Sequence, residues 1–261
     1  SLHFQDFLNN FIKMQSLVTD SKAVIEDVNV RFSSLSIQDV VHHDQPIKTC
    51  YFSNRLKLLF SLDEVSEYIR IYNHEAELKS KLVPKKENHV QGLFLISDFA
   101  WAENIRVIGV CFQDAKISFF HYDEKFSKEH AYSVTRFQIK IWYVAFLRKW
   151  LTCDHFNKLS AWNDTHKVLE EVIDIGCKIT DLIEIVPLKV IAVATYDREI
   201  VLIDLNKKAK FLIIPLNESS AHTIRYSERQ NLLFAATFQS KVRIFSIDSS
   251  KDYTKVGKLE H

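Results

Sequence analysis

Asp197-Arg198-Glu199-Ile200-Val201-Leu202-Ile203-Asp204 decides the fold, because the chain repeats its plan four more times, at residues 66–73, 114–121, 156–163 and 239–246. Each copy reads as a turn residue, two polar or variable residues, an aliphatic, one further residue, a mostly apolar one, a bulky anchor, and a small polar residue or histidine. The anchors Tyr72, Phe120, Trp162, Ile203 and Phe245 recur at spacings of 48, 42, 41 and 42 residues. A period of about 40–45 residues with four short strands per unit is the signature of a propeller blade.

The residues around each anchor fit that unit. Strand-like runs precede it at 47–52, 56–62 and 68–72, then at 95–102, 106–112 and 116–120, and at 139–147, 149–153 and 158–162. Two further triplets follow at 179–186, 189–195 and 199–205, and at 222–226, 231–237 and 241–247. Weaker outer strands are expected at 78–83, 169–173 and 210–214. Short apolar runs bounded by turn residues at this regular spacing predict an all-β array. The second runs of the last two units, Val190-Ile-Ala-Val-Ala194 and Leu232-Leu-Phe-Ala-Ala236, are apolar throughout. Such a run suits a strand covered on both faces by neighbouring blades.

Residues 1–44 lack the repeat. Phe4, Phe7, Leu8 and Phe11 fall at i, i+3, i+4 and i+7, one face of a helix. Residues 21–44 read as a connector with one possible strand at 28–32. The chain thus divides into a helical segment and connector over 1–44 and a propeller portion over 45–261. Only four glycines occur, where about 7% is usual. Propeller turns need residues tolerant of positive φ, so Asn54, Asn104, Asn231 and neighbouring polar residues are expected to serve there.

The repeats resemble the WD40 family. Trp162-Asn163 and Ile203-Asp204 stand at the WD position, Gly176-Cys177 stands where the family has Gly-His, and His43-Asp44 before Pro46-Ile47 looks like the same blade entry. The family prefers Asp six residues before the anchor, bonded to that His. Here the position holds Ser66, Asp114, Phe156, Asp197 and Gln239, so most blades are expected to lack the full polar network and to depend on apolar packing. The resemblance covers about 43–261 and implies a WD40-type β-propeller with about five blades visible, part of a larger ring. Residues 256–261 look like the approach to a sixth blade, and the chain is expected to be a piece of a longer protein. The order of parts is similar to axonemal proteins that place an EF-hand module before tandem propellers, with residues 3–13 as that module's exit helix. No D-x-[DN]-x-[DN]-G loop occurs, so calcium binding is not carried over.

Composition narrows the function classes. At 47% hydrophobic and 26% charged the 261 residues have a globular composition. Thirty-four basic and 33 acidic residues give a net charge of +1, without the basic excess of a nucleic-acid binder. No apolar run approaches the roughly 18 residues that span a bilayer, and no signal-peptide layout is visible. The cysteines Cys50, Cys111, Cys153 and Cys177 are far apart and form no C-x-x-C, so they read as buried free thiols rather than a metal site.

No catalytic motif emerges. A Gly-rich phosphate loop, G-x-S-x-G and H-E-x-x-H are all missing from the sequence. In an extended chain the neighbours of His42-His43-Asp44 point to opposite faces, and those of Cys153-Asp154-His155 are poorly placed as a dyad. No repeated channel-facing position bearing His, Asp or Arg is evident, so no catalytic, cofactor or metal residue is assigned. Lys85 and Lys86 follow Pro84 between an outer strand and the next inner strand, on the rim that in WD40 topology also carries the second-to-third-strand turns. Lys85, Lys86, Asp114 and Asp197 are therefore the candidate partner-binding residues, with the lysines facing an acidic partner such as a tubulin tail. The resemblance implies a non-enzymatic scaffold for other proteins in a large assembly. The first expectation is a cytoplasmic, microtubule-associated component of the ciliary axoneme. The alternatives are a trafficking or ribosome-biogenesis scaffold, or a propeller enzyme.

Overall fold

The computed structural model describes residue 43 and residues 45–85, 95–126, 128–164, 169–207, 209–247 and 253–260. The expected helix and the possible strand within 1–44, and Lys86, lie outside the described residues. Blade 1 consists of β1 (Ile47–Ser53), β2 (Leu58–Asp63), β3 (Ile69–Tyr72) and β4 (Leu78–Leu82). Blade 2 has β5 (Ile96–Ala102), β6 (Val107–Phe112), β7 (Lys116–His121) and β8 (Lys128–Ser133). Blade 3 has β9 (Gln138–Val144), β10 (Lys149–Asp154), β11 (Lys158–Asn163) and β12 (Leu169–Asp174). Blade 4 has β13 (Ile179–Ile185), β14 (Val190–Thr195), β15 (Glu199–Asp204) and β16 (Ala209–Pro215). Blade 5 has β17 (Ala221–Ser227), β18 (Leu232–Thr237), β19 (Lys241–Ile247) and β20 (Tyr253–Glu260).

Every blade is a four-stranded antiparallel meander in sequence order, which makes the architecture an all-β, five-bladed β-propeller. One expectation is corrected. Residues 256–260 belong to blade 5 itself: β20 pairs with β19 from Tyr253 to Glu260 as that blade's outer strand. Four of the five anchors share a backbone feature, and Phe120 pairs with its outer strand in regular register. At Tyr72, Trp162, Ile203 and Phe245 the pairing with the outer strand slips by a residue, a β-bulge that bends the outer strand.

Blades stack by period-2 alternation. On each second strand one set of side chains faces the following blade and the other set the preceding one. Leu58, Phe60 and Leu62 of blade 1 share a core with Ile108 and Val110 of blade 2. The same partition joins blades 2 and 3 through Ile117, Phe119 and Trp150, blades 3 and 4 through Leu151, Ile191 and Val193, and blades 4 and 5 through Ala192, Leu233 and Ala235. Residue volumes across these contacts are complementary. Where blade 2 offers Gly109, blade 3 answers with Trp150.

Carboxylates reinforce each of these four interfaces. Asp98 accepts from Thr49 Oγ1 of blade 1 at 3.0 Å and from Ile141 N of blade 3 at 3.1 Å. Glu103 accepts from Ser53 Oγ and Arg55 N of blade 1, both at 2.9 Å. Glu184 of blade 4 accepts from Ala145 N of blade 3 at 2.9 Å, and Asp181 accepts from Thr223 Oγ1 at 2.7 Å and Ile224 N at 2.9 Å of blade 5. Burial raises the carboxyl pKa of Asp98, against the opposing pull of Lys140 and the Ile141 N–H.

The turn expectation is met at Asn231 and, in the first two blades, by polar neighbours of the asparagines. Asn231 does adopt positive φ, but Asn54 and Asn104 do not. In the first-to-second-strand turns Lys57, Arg106, Arg148, Lys189 and Asn231 hold the same place, with φ between 53° and 55°. The left-handed residue is thus the last before the second strand, and four times it is a long basic side chain standing in solvent. The polar network is likewise more complete in blade 1 than the spacing of Ser66 suggests. The carboxylate comes from Asp63, at the end of β2, while Ser66 caps its own turn by donating to Tyr68 O at 2.7 Å. His43 Nδ1 donates to Asp63, which leaves Nε2 to face Ser61 Oγ at 3.1 Å and the Tyr72 hydroxyl at 3.4 Å. Arg70 completes the cluster by donating to Asp63.

Candidate functional interface

The turns between second and third strands and the connections between blades lie on one rim. Backbone bonds tie them together: Gln113 N to Leu95 O at 3.0 Å, Tyr196 N to Lys178 O at 2.8 Å, Phe238 N to Ser220 O at 3.1 Å. Blades 2 to 5 close this turn on a positive-φ residue, namely Ala115, Asn157, Arg198 and Ser240. The turn is three residues long, with Tyr196 and Phe238 in its first position and Phe156 in its middle one, all at the tip of the hairpin.

Polar side chains are the ordinary occupants of such tips. Here blades 3, 4 and 5 instead carry Phe156, Tyr196 and Phe238, which are 57%, 57% and 59% exposed. Neighbouring rings and cations fix their orientation. His155 lies against Phe156 with centroids 4.0 Å apart and stacks on Phe137, and the Arg136 guanidinium sits 4.9 Å over the Phe156 ring. Tyr196 and Phe238 meet edge to face at 6.3 Å, with His222 packed 5.5 Å from Phe238 and Lys178 Nζ 5.4 Å over Tyr196. Burial lowers the His222 pKa, so its ring is neutral near pH 7 and adds no charge to the cluster. Between blades 4 and 5 the aromatics wall an open groove of about 730 Å³, with Asp197, Glu199, Asn217 and Ser220 among its lining.

The residues chosen from sequence are distributed along this rim rather than gathered. Lys85 is exposed, and its backbone N–H donates to Glu129 Oε2 at 2.9 Å. Asp114 is half-buried in the blade 2 turn, and Asp197 stands exposed beside Tyr196 in the groove. Lys86 lies outside the described residues. Sequence reading missed Phe156, Tyr196 and Phe238, although their signal was present: a large aromatic at a turn position of three consecutive units.

The inner strands hold one repeated position that sequence reading overlooked. Thr49, Asp98, Lys140, Asp181 and Thr223 occupy the third residue of each. Both carboxylates there spend their lone pairs on the neighbouring blades, as described above. Cys153 is fully buried, its thiol pushed up to about 12 by burial and by Asp154, and its Sγ turns to Asp154 O at 3.4 Å while His155 stacks on Phe137. Among the described residues no three His, Cys, Asp or Glu side chains gather as metal ligands.

No family model matches the chain, and no curated protein matches it. Among solved structures the chain is similar to the β-propeller domain of Cps50 (Swd1) from Myceliophteria thermophila. The match has a TM-score of 0.65 and 12% identity, and covers 85% of this chain and 74% of that one. At that identity the likeness is one of fold.

Proposed function

We propose that this WD40-type propeller is a non-enzymatic protein-interaction scaffold that receives a partner on the rim bearing Phe156, Tyr196 and Phe238. The observation that carries the reading is the exposure of three large aromatics at the turn tips of consecutive blades. Apolar surface left in water contributes nothing to the folding of the chain, and exposed aromatics anchored on a rigid frame have the character of interface hot spots. The blades hold them still, so a partner that covers them immobilises little that is not already fixed. The test is quantitative affinity capture from the source cells with the wild-type chain and with a Phe156→Ala, Tyr196→Ala, Phe238→Ala variant. Proteins retained by the wild type should be lost from the variant at unchanged melting temperature. Equal capture by both would reject this rim as the interface.

The finer reading is a scaffold built into the ciliary axoneme on microtubule doublets, with Lys85 and Lys86 toward an acidic tubulin surface. Its support is the order of parts read from the sequence, a segment over 1–44 with apolar residues at helical spacing before degenerate repeats over 45–261. Isolated cilia extracted with rising salt test it. Retention on doublets supports it, whereas absence from cilia with vesicle-coat or pre-ribosomal partners moves the reading to trafficking or ribosome biogenesis.

A further inference from the structure

The five turns that join first to second strands lie at the end of the propeller opposite the aromatic rim. They surround its axis, because β1, β5, β9, β13 and β17 are the inner strands and neighbour one another in turn. Each turn is four residues long, over 54–57, 103–106, 145–148, 186–189 and 228–231. Four of them end on the same pair, an aliphatic residue and then a basic one: Leu56-Lys57, Ile105-Arg106, Leu147-Arg148 and Leu188-Lys189. The aliphatic member packs against one of the four interblade cores, which pins the turn. The basic member then takes the left-handed conformation, with φ of 53° or 54°, and stands exposed. The turn itself does not require a cation. Asn231 fills the same place in blade 5, where its side chain donates to Ile247 O. Glycine and asparagine hold positive φ readily, whereas a long side chain with its β-carbon there is strained. Strain kept at one place in four blades, each time with a positive charge, points to a function. Nor is the charge spent within the chain. The Lys57, Arg106 and Lys189 side chains form no ion pair among the described residues, while Arg148 Nε meets Asp164 Oδ2 at 3.1 Å. The five turns hold six basic residues and two acidic ones, although the whole chain balances to +1. Of those two, Glu103 is committed to Trp101, Ser53 and the Arg55 N–H.

We propose that this end of the propeller is a second docking surface, a basic annulus around the axis that takes an acidic polypeptide segment. Two observations choose a narrow polypeptide over a broad polyanion. First, the turns between third and fourth strands share this end but lie farther from the axis. Among the described residues they carry Glu75, Glu77, Asp123 and Glu124 against Lys125 and Lys207. A nucleic-acid duplex or an anionic bilayer would lie across these carboxylates and be repelled, whereas a single chain seated over the axis meets the annulus first. Second, Phe52 and Val186 are exposed at the same end. A segment that mixes carboxylates with apolar side chains can cover them, and a phosphate backbone cannot. The scaffold would then hold one partner at each end of the propeller, the apolar rim and the basic annulus selecting different chemistry.

Fluorescence anisotropy of a labelled peptide of repeated Glu-Glu-Leu triplets, titrated at low salt with the full 261-residue chain, tests the assignment. Lys57→Gln with Arg106→Gln and Lys189→Gln should weaken binding about tenfold, a few-fold for each exposed charge pair. Lys79→Gln with Lys128→Gln and Lys210→Gln makes the same change of net charge on the outer strands of three blades and should cost less than about twofold. Equal losses from the two sets would overturn the proposal, as would peptide affinity that raised salt leaves unchanged. Lys57→Gly with Lys189→Gly separates docking from damage to the fold: melting temperature should rise while the peptide binds more weakly. Glycine variants that bind the peptide as well as wild type would overturn the proposal. Tighter binding of duplex DNA or phosphatidylserine vesicles than of the peptide, lost in the annulus glutamine variant, would assign the surface to phosphate and overturn it too. The alanine variant of Phe156, Tyr196 and Phe238 should bind the peptide as wild type does, so the annulus is tested independently of the aromatic rim.

Discussion

Gly109→Ala is the substitution whose cost follows most directly from the packing between blades. Gly109 lies mid-strand in β6 with ordinary backbone angles, so the methyl group meets no conformational penalty of its own. A Cβ there would stand 2.6 Å from Trp150 Cζ3, 2.9 Å from Trp150 Cε3 and 2.8 Å from Ile141 Cδ1. Ile141 can swing its terminal methyl aside. The indole cannot, being fully buried and wedged by Phe119 at 5.2 Å and Tyr143 at 4.9 Å. Overpacking of this kind costs about 1–3 kcal/mol. For a domain of this size each kcal/mol lowers the melting temperature by about 2–4 °C, so a drop of about 2–12 °C is expected by calorimetry or near-ultraviolet circular dichroism. Trp150→Phe supplies the control. It removes the crowding atoms together with an indole N–H that has no acceptor among the described residues. The double variant should therefore lose less than the sum of the single losses, by about 1 kcal/mol. A Gly109→Ala protein within about 0.5 kcal/mol of wild type, or strict additivity with Trp150→Phe, would refute the reasoning.

Further outcomes concern charge and backbone. Asp98→Ala strands the Ile141 N–H and the Thr49 hydroxyl and should cost about 1–3 kcal/mol for each in denaturant melts. Asp98→Asn keeps both bonds, with Thr49 Oγ1 as acceptor, and isolates the charge. Because burial raises the folded pKa of Asp98 above 3.8, the folded state holds its proton longer than the unfolded one. Wild-type stability from this group therefore declines as pH rises from 3.8 through the raised value. The advantage of Asp98→Asn over wild type should grow across that window and then level; a difference independent of pH would refute it. Lys57→Gly and Lys189→Gly should each stabilise by about 0.5–1 kcal/mol, since glycine holds positive φ without the Cβ clash. Lowered melting temperatures in both would contradict the shared turn geometry.

The candidate interface was only partly legible along the chain. The rim could be placed from sequence, because a meander of four strands fixes which loops share an end. Lys85, Asp114 and Asp197 are on it for that reason. The aromatic ridge was not foreseen, because Phe156, Tyr196 and Phe238 are about 40 residues apart and each alone reads as a strand-edge aromatic. Asp63 was missed in favour of Ser66 because side-chain reach, not sequence offset, selects the carboxylate that meets His43.

The sequence by itself determined the repeat, the strand positions and the all-β architecture. Those rest on local chemistry: alternation at period 2, turn residues and a bulky anchor once per blade, all written within about ten residues of each other. The tertiary structure alone decided what happens between blades. The fit of Trp150 against Gly109, the bridging by Asp98, Asp181, Glu103 and Glu184 and the pairing of Tyr253–Glu260 within blade 5 each depend on which elements meet in space. That choice joins residues some 40 positions apart through packing volume and hydrogen-bond reach, neither of which leaves a periodic mark on the chain.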